Sequence, residues 1–478
     1  MSTLKKNLGY QTIYQILTTC LPLITSPYLA RILGAERLGI FSYTQSIVNY
    51  FTLFAMLGLA NYGTRTIASV SSDKKQRSKE FLSIFTLQLI TSSLAVIGYV
   101  VYMLFACKAN KLIAFIQIIA VISCFFDINW MFFGLEKFEF TVKRNIIIRV
   151  ATVILILSLV KTKNDLWIYV LLMGLSTLLS QIVLWFYVPK YISFVKFDLE
   201  DVVKHIKPNI VLFLPLAAMS VYHIMDKTML GMFSTFSESG FYYNSDKIIN
   251  IPAGIISGIS TVMMPRISAL ISKGKNDEME ILFKKSLEAT IFISSALAFG
   301  IAAISNEFIP VFFGEGYEKC VILTIVLAAV LIIKGFSFTF RYQYLIPYGQ
   351  DKKYIQSILY GMSVNLICNV LLIPSLGAMG AVIGTLTAET VACLVQLIYV
   401  AKAIDIKKSL IKCLSNIIIG AMMFLIVRGV AGFLDSNNII KIIVCIVTGA
   451  IAYLGISYIF LDINKDKIKN IFQKNNRK

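Results

Sequence analysis

One helical segment occurs twice in this chain, first as Gly39-Ile-Phe-Ser-Tyr-Thr-Gln-Ser-Ile-Val-Asn49 and again as Gly240-Phe-Tyr-Tyr-Asn-Ser-Asp-Lys-Ile-Ile-Asn250. Each copy continues through an apolar run to an arginine, Arg65 in the first and Arg266 in the second. The leading glycine, an isoleucine, the closing asparagine and this arginine match at one common offset. Matches in register over a whole helix indicate an internal repeat.

The composition places this repeat in a membrane protein. Of the 478 residues, 57% are hydrophobic and 15% are charged, and the mean hydropathy is +0.76. Soluble domains average about 45–50% apolar and about 25% charged residues. The apolar runs are about 20 residues long, which suits a helix that crosses a bilayer. Runs such as Ile146–Val160 do not alternate as barrel strands do, so the chain is predicted to be an all-α integral membrane protein.

Hydropathy predicts about 14 transmembrane helices. They are expected near residues 8–31, 39–64, 81–106, 112–133, 145–161, 166–188, 208–231, 240–264, 289–312, 320–346, 354–373, 377–400, 410–433 and 439–461. Spans 1–2 match spans 7–8, so the repeat unit has six spans, an even number that gives the two copies parallel topology. The predicted domains are an N-lobe (1–195), a C-lobe (205–402), a C-terminal helix pair (408–463) and a basic tail (464–478).

The basic residues predict the orientation. With a cytoplasmic N-terminus, the segments Lys74–Lys79, Lys284–Lys285 and Lys407–Lys408 and the basic tail lie in the cytoplasm. The expected external breaks at 231–239 and 374–380 contain no basic residue. This distribution follows the positive-inside rule and puts both termini in the cytoplasm. It also accounts for most of the net charge of +19 without a nucleic acid partner.

Several cofactor classes are not expected. The eight cysteines stand mostly in apolar runs without metal spacing, and there are only two histidines. No GxxxxGK[ST] motif is present, so ATP hydrolysis by this chain is not expected. The first apolar run has no cleavage site of a signal peptide. The chain is therefore predicted to have no cofactor and no metal.

Charged residues inside the spans are the main functional signal, because each costs at least about 2.5–3.5 kcal/mol to insert. Basic residues occur within spans at Arg149, Lys227, Lys247, Lys334, Arg341 and Arg428, and Arg31 lies near the outer end of span 1. Acidic residues occur at Asp127, Asp226, Asp246 and Glu389. The four carboxylates are candidates for ion coupling or for structural pairing, for example between the Asp226-Lys227 and Asp246-Lys247 segments. The lysines and arginines predict a cavity that binds an anion.

Arg65 and Arg266 end equivalent spans on the predicted cytoplasmic side. Two arginines at a common portal would suit a phosphate or pyrophosphate, although both also fit ordinary positive-inside anchors. The predicted substrate-binding residues are Arg31, Arg65, Lys227, Lys247, Arg266 and Lys334.

Three stretches resemble the Wzx-type oligosaccharide flippases, the O-antigen and capsule repeat-unit transporters of bacteria. They are Pro27-Tyr-Leu-Ala-Arg31-Ile-Leu-Gly34-Ala-Glu36-Arg-Leu-Gly39, Gly58-Leu-Ala-Asn-Tyr-Gly63-Thr-Arg65 and Asp127-Ile-Asn-Trp130-Met-Phe-Phe-Gly134-Leu-Glu136. The resemblance covers the whole chain. It implies the fold of the multidrug/oligosaccharidyl-lipid/polysaccharide exporters, with two six-helix lobes and an additional helix pair.

The resemblance also implies a function. A Wzx-type flippase moves an undecaprenyl-pyrophosphate-linked oligosaccharide repeat unit from the cytoplasmic to the outer leaflet of the bacterial inner membrane. Such a transporter is not an enzyme, and its surroundings would include membrane lipids, a polysaccharide polymerase and a chain-length regulator. Alternating access is the expected mechanism.

Other functions stay open on the sequence alone. A lipid II flippase or a multidrug/cation antiporter would share the fold, although antiporters of this kind usually have 12 spans and acidic cavities. A membrane polysaccharide polymerase or ligase would be a different class, but those enzymes usually carry a large external loop, whereas the external loops predicted here are short. A scaffold without transport activity would leave the charges inside the spans unexplained.

Overall fold

The computed structural model describes residues 2–107 and 110–460, and the side chains of residues 21–107 and 110–459. The predicted basic tail, 464–478, lies outside these residues. All regular elements in the described ranges are helical. The helices are α1 Ser2–Met56, α2 Leu59–Ser69, α3 Lys74–Phe105, α4 Lys111–Ile122, α5 Asn129–Gly134, α6 Phe138–Leu159, α7 Leu166–Trp185, α8 Val188–Tyr191, α9 Leu199–Val203, α10 Ile206–Phe233, α11 Phe236–Ser272, α12 Asn276–Phe313, α13 Glu318–Phe340, α14 Asp351–Leu376, α15 Ala378–Ala401, α16 Lys407–Phe433 and α17 Asn438–Phe460. A short π-helix, Arg341–Leu345, follows α13.

Eleven described helical segments are long and apolar enough to cross a membrane. The prediction of an all-helical membrane protein is therefore confirmed. The number of 14 spans stays a prediction, because α1 and α6 are not among the eleven. Helix α6 carries Lys143, Arg144 and Arg149, and these charges lower its apolar character.

The first two predicted spans are two helices that follow each other directly at Gly34, and α1 covers the first span and most of the second. Helix α1 has 55 residues, and Gly34 inside it has φ +77° and ψ 170°. Only glycine adopts this conformation without strain, because it has no Cβ. Before the kink, α1 is fixed to the end of α6, where the Tyr28 hydroxyl donates to the Val160 carbonyl at 2.6 Å. The predicted break between residues 31 and 39 is therefore a bend rather than a loop.

The chain divides into two compact units, Met1–Tyr243 (unit 1) and Asn244–Lys478 (unit 2), and the division falls within α11. In unit 1, α1 packs against α3, α4, α6, α7 and α10. In unit 2, α14 packs against α15, and α12 packs against α13, α16 and α17. The predicted lobe boundaries near residues 195–205 and 402–408 stay predictions.

A buried glutamine closes the helix break between α4 and α5. Gln88 of α3 donates to the carbonyl oxygens of Cys124 at 2.6 Å and Asp127 at 2.9 Å, and it accepts from the Trp130 indole at 3.0 Å. Carbonyls at a helix end have no partner in the helix, and lipid offers none. Gln88 therefore allows a broken helix within the apolar core that surrounds Trp130.

In unit 2, an ion pair joins α16 to α12. The Arg428 Nη1 lies 2.9 Å from both carboxylate oxygens of Glu307 and donates to the Ala303 carbonyl at 3.1 Å. Arg428 is one of the arginines predicted within a span, and this pair accounts for its charge there. An apolar cluster around Met423 and Tyr453 holds α16 and α17 against α12.

Candidate functional site

Unit 1 contains a polar cavity of about 320 Å³ between α1, α4, α7, α10 and the first turns of α11. Its neutral polar lining consists of Ser42, Gln45, Ser46, Asn49, Gln117 and Thr177. His223 and Lys227, one turn apart on α10, form part of its wall. Binding sites for small molecules are commonly clefts of about 300–1,000 Å³ with a few placed polar groups. The cavity is thus large enough for part of a substrate.

The cavity is built on one polar face of α1, within the repeated segment. Ser42, Gln45, Ser46 and Asn49 stand at the i, i+3, i+4 and i+7 positions, so they share one face of the helix. In a helix surrounded by lipid, such a polar face must point into protein or a water-filled space. This periodicity is visible in the sequence, and a search limited to charged residues overlooks it.

The amides form a chain of hydrogen bonds with a direction. Gln117 of α4 donates from Nε2 to Gln45 Oε1 at 3.5 Å, and Gln45 donates from Nε2 to Asn49 Oδ1 at 3.0 Å. The chain therefore ends with an acceptor, Gln117 Oε1, on one side and a donor, Asn49 Nδ2, on the other.

Two buried oxygen atoms at the cavity have no hydrogen-bond partner among the residues that the structure describes. They are Ser42 Oγ and Gln117 Oε1, on side chains that are 2% and 3% exposed. A buried polar group without a partner costs about 1–3 kcal/mol. A ligand with hydroxyl or amide hydrogens would supply the missing donors.

Lys227 is the predicted cation that lines the cavity. It is half-buried, and its Nζ lies 5.8 Å from the centroid of the Tyr243 ring. The next residue, Thr228, donates to Ser46 Oγ at 2.8 Å and so fixes α10 against the polar face of α1. On the other side of Lys227, the buried Asp226 accepts a hydrogen bond from the Tyr242 hydroxyl at 2.6 Å.

The other predicted residues of unit 1 lie elsewhere. Arg31 and Arg65 are exposed, on α1 and α2, and neither lines the cavity. Asp127 is half-buried at the break before α5, where its Oδ1 accepts from the Asn129 backbone at 3.0 Å and from Asn129 Nδ2 at 2.7 Å. Arg144 in turn donates to Asn129 Oδ1 at 2.9 Å. Asp127 therefore belongs to a hydrogen-bonded network at a helix end.

The remaining predicted residues belong to unit 2. Asp246 and Lys247 are half-buried on α11, Lys334 is half-buried on α13, and Glu389 is buried on α15. Arg266 is exposed near the end of α11. Their roles stay predictions.

Arg341, which was also expected within a span, begins the π-helix. Its guanidinium carbon lies 4.6 Å and 4.4 Å from the ring centroids of Tyr342 and Tyr354. These cation–π contacts stabilise a partly desolvated arginine.

Comparisons with known proteins place this chain in a family. Residues 4–271 match the model of the polysaccharide biosynthesis protein family. A candidate O-antigen transporter of Escherichia coli (strain K12) is 24% identical over 402 residues, which are 83% of this chain and 97% of that protein. A candidate low-salt glycan biosynthesis flippase, Agl15 of Haloferax volcanii, is 23% identical over 256 residues, 53% of each chain.

Among solved structures, the lipid II flippase MurJ in an inward closed conformation is similar. The TM-score is 0.77 at 16% identity, over 94% of this chain and 98% of that chain. This likeness confirms the predicted fold of the polysaccharide exporters. More than half of the chain matches the family model, and the cavity lies within the matched residues. The chain belongs to the polysaccharide biosynthesis protein family, as its resemblance to the O-antigen and capsule transporters predicts.

Proposed function

We propose that this protein flips an undecaprenyl-pyrophosphate-linked oligosaccharide repeat unit from the cytoplasmic to the outer leaflet of the bacterial inner membrane. It would do so by alternating access, for the assembly of O-antigen or capsular polysaccharide. The names of its relatives, an O-antigen transporter and a glycan flippase, support this proposal. The polymerase and the chain-length regulator would act on the unit after it has crossed.

The observation that carries the proposal is the polar cavity among the helices of unit 1. Buried amides and hydroxyls are unfavourable in helices that only face lipid, because each of these groups needs a hydrogen-bond partner that lipid does not offer. The headgroup of a lipid-linked oligosaccharide offers hydroxyls, and its phosphates suit a lysine such as Lys227. The polyprenyl tail would stay in the lipid while the headgroup enters the protein.

The charged residues have separate proposed roles. Lys227 contacts the sugar or the pyrophosphate inside the cavity, and Arg31, Arg65, Lys247, Arg266 and Lys334 are the further candidate contacts. The hydrogen bonds of Asp127 and Asp226 favour structural roles for these two carboxylates. Asp246 and Glu389 stay candidates for coupling to an ion or for structural pairing. No catalytic step is assigned to any of them.

The test is deletion of the gene in its host, followed by identification of the lipid-linked sugars in each leaflet. We expect an undecaprenyl-pyrophosphate-linked repeat unit to build up in the cytoplasmic leaflet while surface polysaccharide falls. Expression of the wild-type protein should reverse both changes. Unchanged surface polysaccharide without a build-up of lipid-linked sugar would reject the proposal, and a build-up of lipid II would assign a different substrate.

A further inference from the structure

The cavity of unit 1 has the chemistry of a sugar site. We infer that it binds one sugar of the transported unit through Gln45, Asn49 and Gln117, and that these amides select which sugar is accepted. This inference rests on the proposed transport of a lipid-linked oligosaccharide. It adds a specificity site to that function.

The lining fits a neutral ligand better than a phosphate. Phosphate groups are typically bound by arginine, lysine and backbone N–H groups. Among the described side chains that line the cavity, Lys227 is the one lysine or arginine, and six neutral polar side chains accompany it. Hydroxyls both donate and accept hydrogen bonds, as amides do through their two ends, so the two groups complement each other. Phe41 and Tyr243 add aromatic surface, with ring centroids 6.1 Å apart.

The direction of the amide chain gives the site a defined order of donors and acceptors. Gln45 uses both ends of its amide within the chain: the bond to Asn49 at 3.0 Å orients it, and the contact from Gln117 is longer, at 3.5 Å. A ligand therefore meets an acceptor at Gln117 Oε1 and a donor at Asn49 Nδ2. A sugar with a hydroxyl or an N–H group at the first position and an oxygen at the second satisfies both.

The two oxygen atoms without partners allow the cavity to distinguish one sugar from another. Gln117 Oε1 and Ser42 Oγ are buried, and no described residue donates a hydrogen bond to either of them. A site built to hydrogen-bond a hydroxyl rejects an analogue without that hydroxyl, because the buried group then stays unpaired. The cavity volume of about 320 Å³ suits a small part of an oligosaccharide, so the selection acts on a single position of the repeat unit.

The two copies of the internal repeat differ in charge at the positions that form the polar face of α1. At the common offset, Ser42, Gln45, Ser46 and Asn49 correspond to Tyr243, Asp246, Lys247 and Asn250. At two of these positions the first copy therefore carries an amide, Gln45, and a hydroxyl, Ser46, where the second carries a carboxylate and an ammonium group. We assign sugar selection to the first copy, and the charged positions of the second remain available for other roles.

The experiment measures export of a series of repeat units, each shortened by one further sugar through removal of a glycosyltransferase. Wild-type protein should prefer units that contain the selected sugar. Gln117→Leu and Gln45→Leu should lower the export of these units about tenfold and that of the shorter units less than about twofold. Lys227→Gln should lower all units by a similar factor, because every unit carries the same phosphates.

An equal fall for all units in the glutamine variants would overturn the inference, and so would a wild-type protein without any preference. Membrane abundance is measured for each variant. If Gln117→Leu is not produced, Gln117→Asn keeps an amide but shortens its reach, and we expect it to lose the preference as well. Absence of any lipid-linked sugar in the deletion strain would reject the proposed function itself, which is a distinct result.

A binding measurement with purified protein separates the sugar from the phosphate. The probe is the free oligosaccharide, released from the polymer by hydrolysis and therefore without the pyrophosphate. The oligosaccharide should raise the thermal midpoint of the wild-type protein and of Lys227→Gln, but not that of Gln117→Leu. An unchanged wild-type midpoint, or a shift that persists in Gln117→Leu, would argue against the inference.

Discussion

Gly39 and Gly240, the leading glycines of the two repeated segments, lie against each other where α1 meets the start of α11. A Cβ on Gly39 would lie 1.6 Å from the Phe236 carbonyl oxygen and 2.9 Å from the Gly240 nitrogen. A Cβ on Gly240 would lie 1.9 Å from the Ala35 carbonyl oxygen. Small residues allow membrane helices to approach this closely. The equivalent glycines of the two copies thus lie on the two helices of one close crossing.

We expect Gly39→Ala and Gly240→Ala each to destabilise the protein. The added methyl group would overlap backbone atoms, which cannot rotate away, and overpacking costs about 1–3 kcal/mol or more. Thermal unfolding in detergent measures the effect. Gly258→Ala on α11 is the matched control, because nothing lies within 4 Å of its added methyl group and alanine favours the helix by about 1 kcal/mol. Equal midpoints for all three variants would contradict the close crossing.

Gln88→Leu should cause a large loss of stability. It would leave the Trp130 indole and the carbonyls of Cys124 and Asp127 without their partner, at about 1–3 kcal/mol for each unpaired group. Gln396→Leu serves as the control, since this buried glutamine has one described hydrogen bond, to Ser357 Oγ at 3.0 Å. The midpoint of thermal unfolding should fall further for Gln88→Leu. A similar fall in both variants would contradict the proposed closure of the helix break.

The pair formed by Arg428 and Glu307 predicts non-additive mutations. Arg428→Met leaves the buried carboxylate of Glu307 without its partner, and Glu307→Leu leaves the half-buried guanidinium of Arg428 without its partner; each change should cost up to about 3 kcal/mol. The double variant removes both charges, so it should recover much of the stability that either single variant loses. Thermal midpoints of the four proteins form the complete cycle. Additive losses in the double variant would show that the two side chains act independently.

Arg65→Ala and Arg266→Ala should each reduce surface polysaccharide and leave membrane abundance unchanged. Both side chains are exposed, so their removal leaves no cavity in the packing. Immunoblots give the abundance, and polysaccharide gels give the output. If the double variant produced polysaccharide at the wild-type level, the predicted anion portal would be wrong.

Lys227→Gln should lower transport about tenfold or more, because a hydrogen bond to a charged group contributes about 1.5–3 kcal/mol. Lys227→Arg keeps the charge and should be milder. The accumulated lipid-linked unit, compared between the two variants at equal abundance, is the measurement. Identical effects of arginine and glutamine would point to packing rather than to charge as the role of Lys227.

Hydropathy alone predicts much of the fold. Within the described residues the predicted spans fall mostly on helices, because about 20 apolar residues in lipid have few alternatives to a helix. The spans predicted at 39–64 and 112–133 each cross a helix break, after α1 and after α4, that hydropathy does not show. The helices themselves are longer than the apolar runs: α12 begins at Asn276, whereas the predicted span begins at residue 289. Hydropathy cannot find such ends, because they extend beyond the lipid with polar residues.

The candidate site was harder to predict. A search for charge identified Lys227 but overlooked Gln45, Asn49 and Gln117, which are neutral and cost less to bury. The polar periodicity of α1 could have indicated the first two. Gln117 stands alone in the apolar helix α4, and only the packing of α4 against α1 brings it to Gln45. Likewise, the repeat shows that Gly39 and Gly240 are equivalent but not that they touch.

The bend at Gly34 has a practical consequence for mapping the sidedness of this protein. A straight helix as long as α1 would measure about 80 Å, whereas the hydrocarbon layer is about 30 Å thick. The helical segments before and after Gly34 follow each other directly, with no loop between them. One inserted residue would rotate the following segment by about 100° and turn Gln45 and Asn49 away from the cavity. A reporter group placed near the bend should therefore replace a residue such as the exposed Glu36, because an insertion would lengthen the chain.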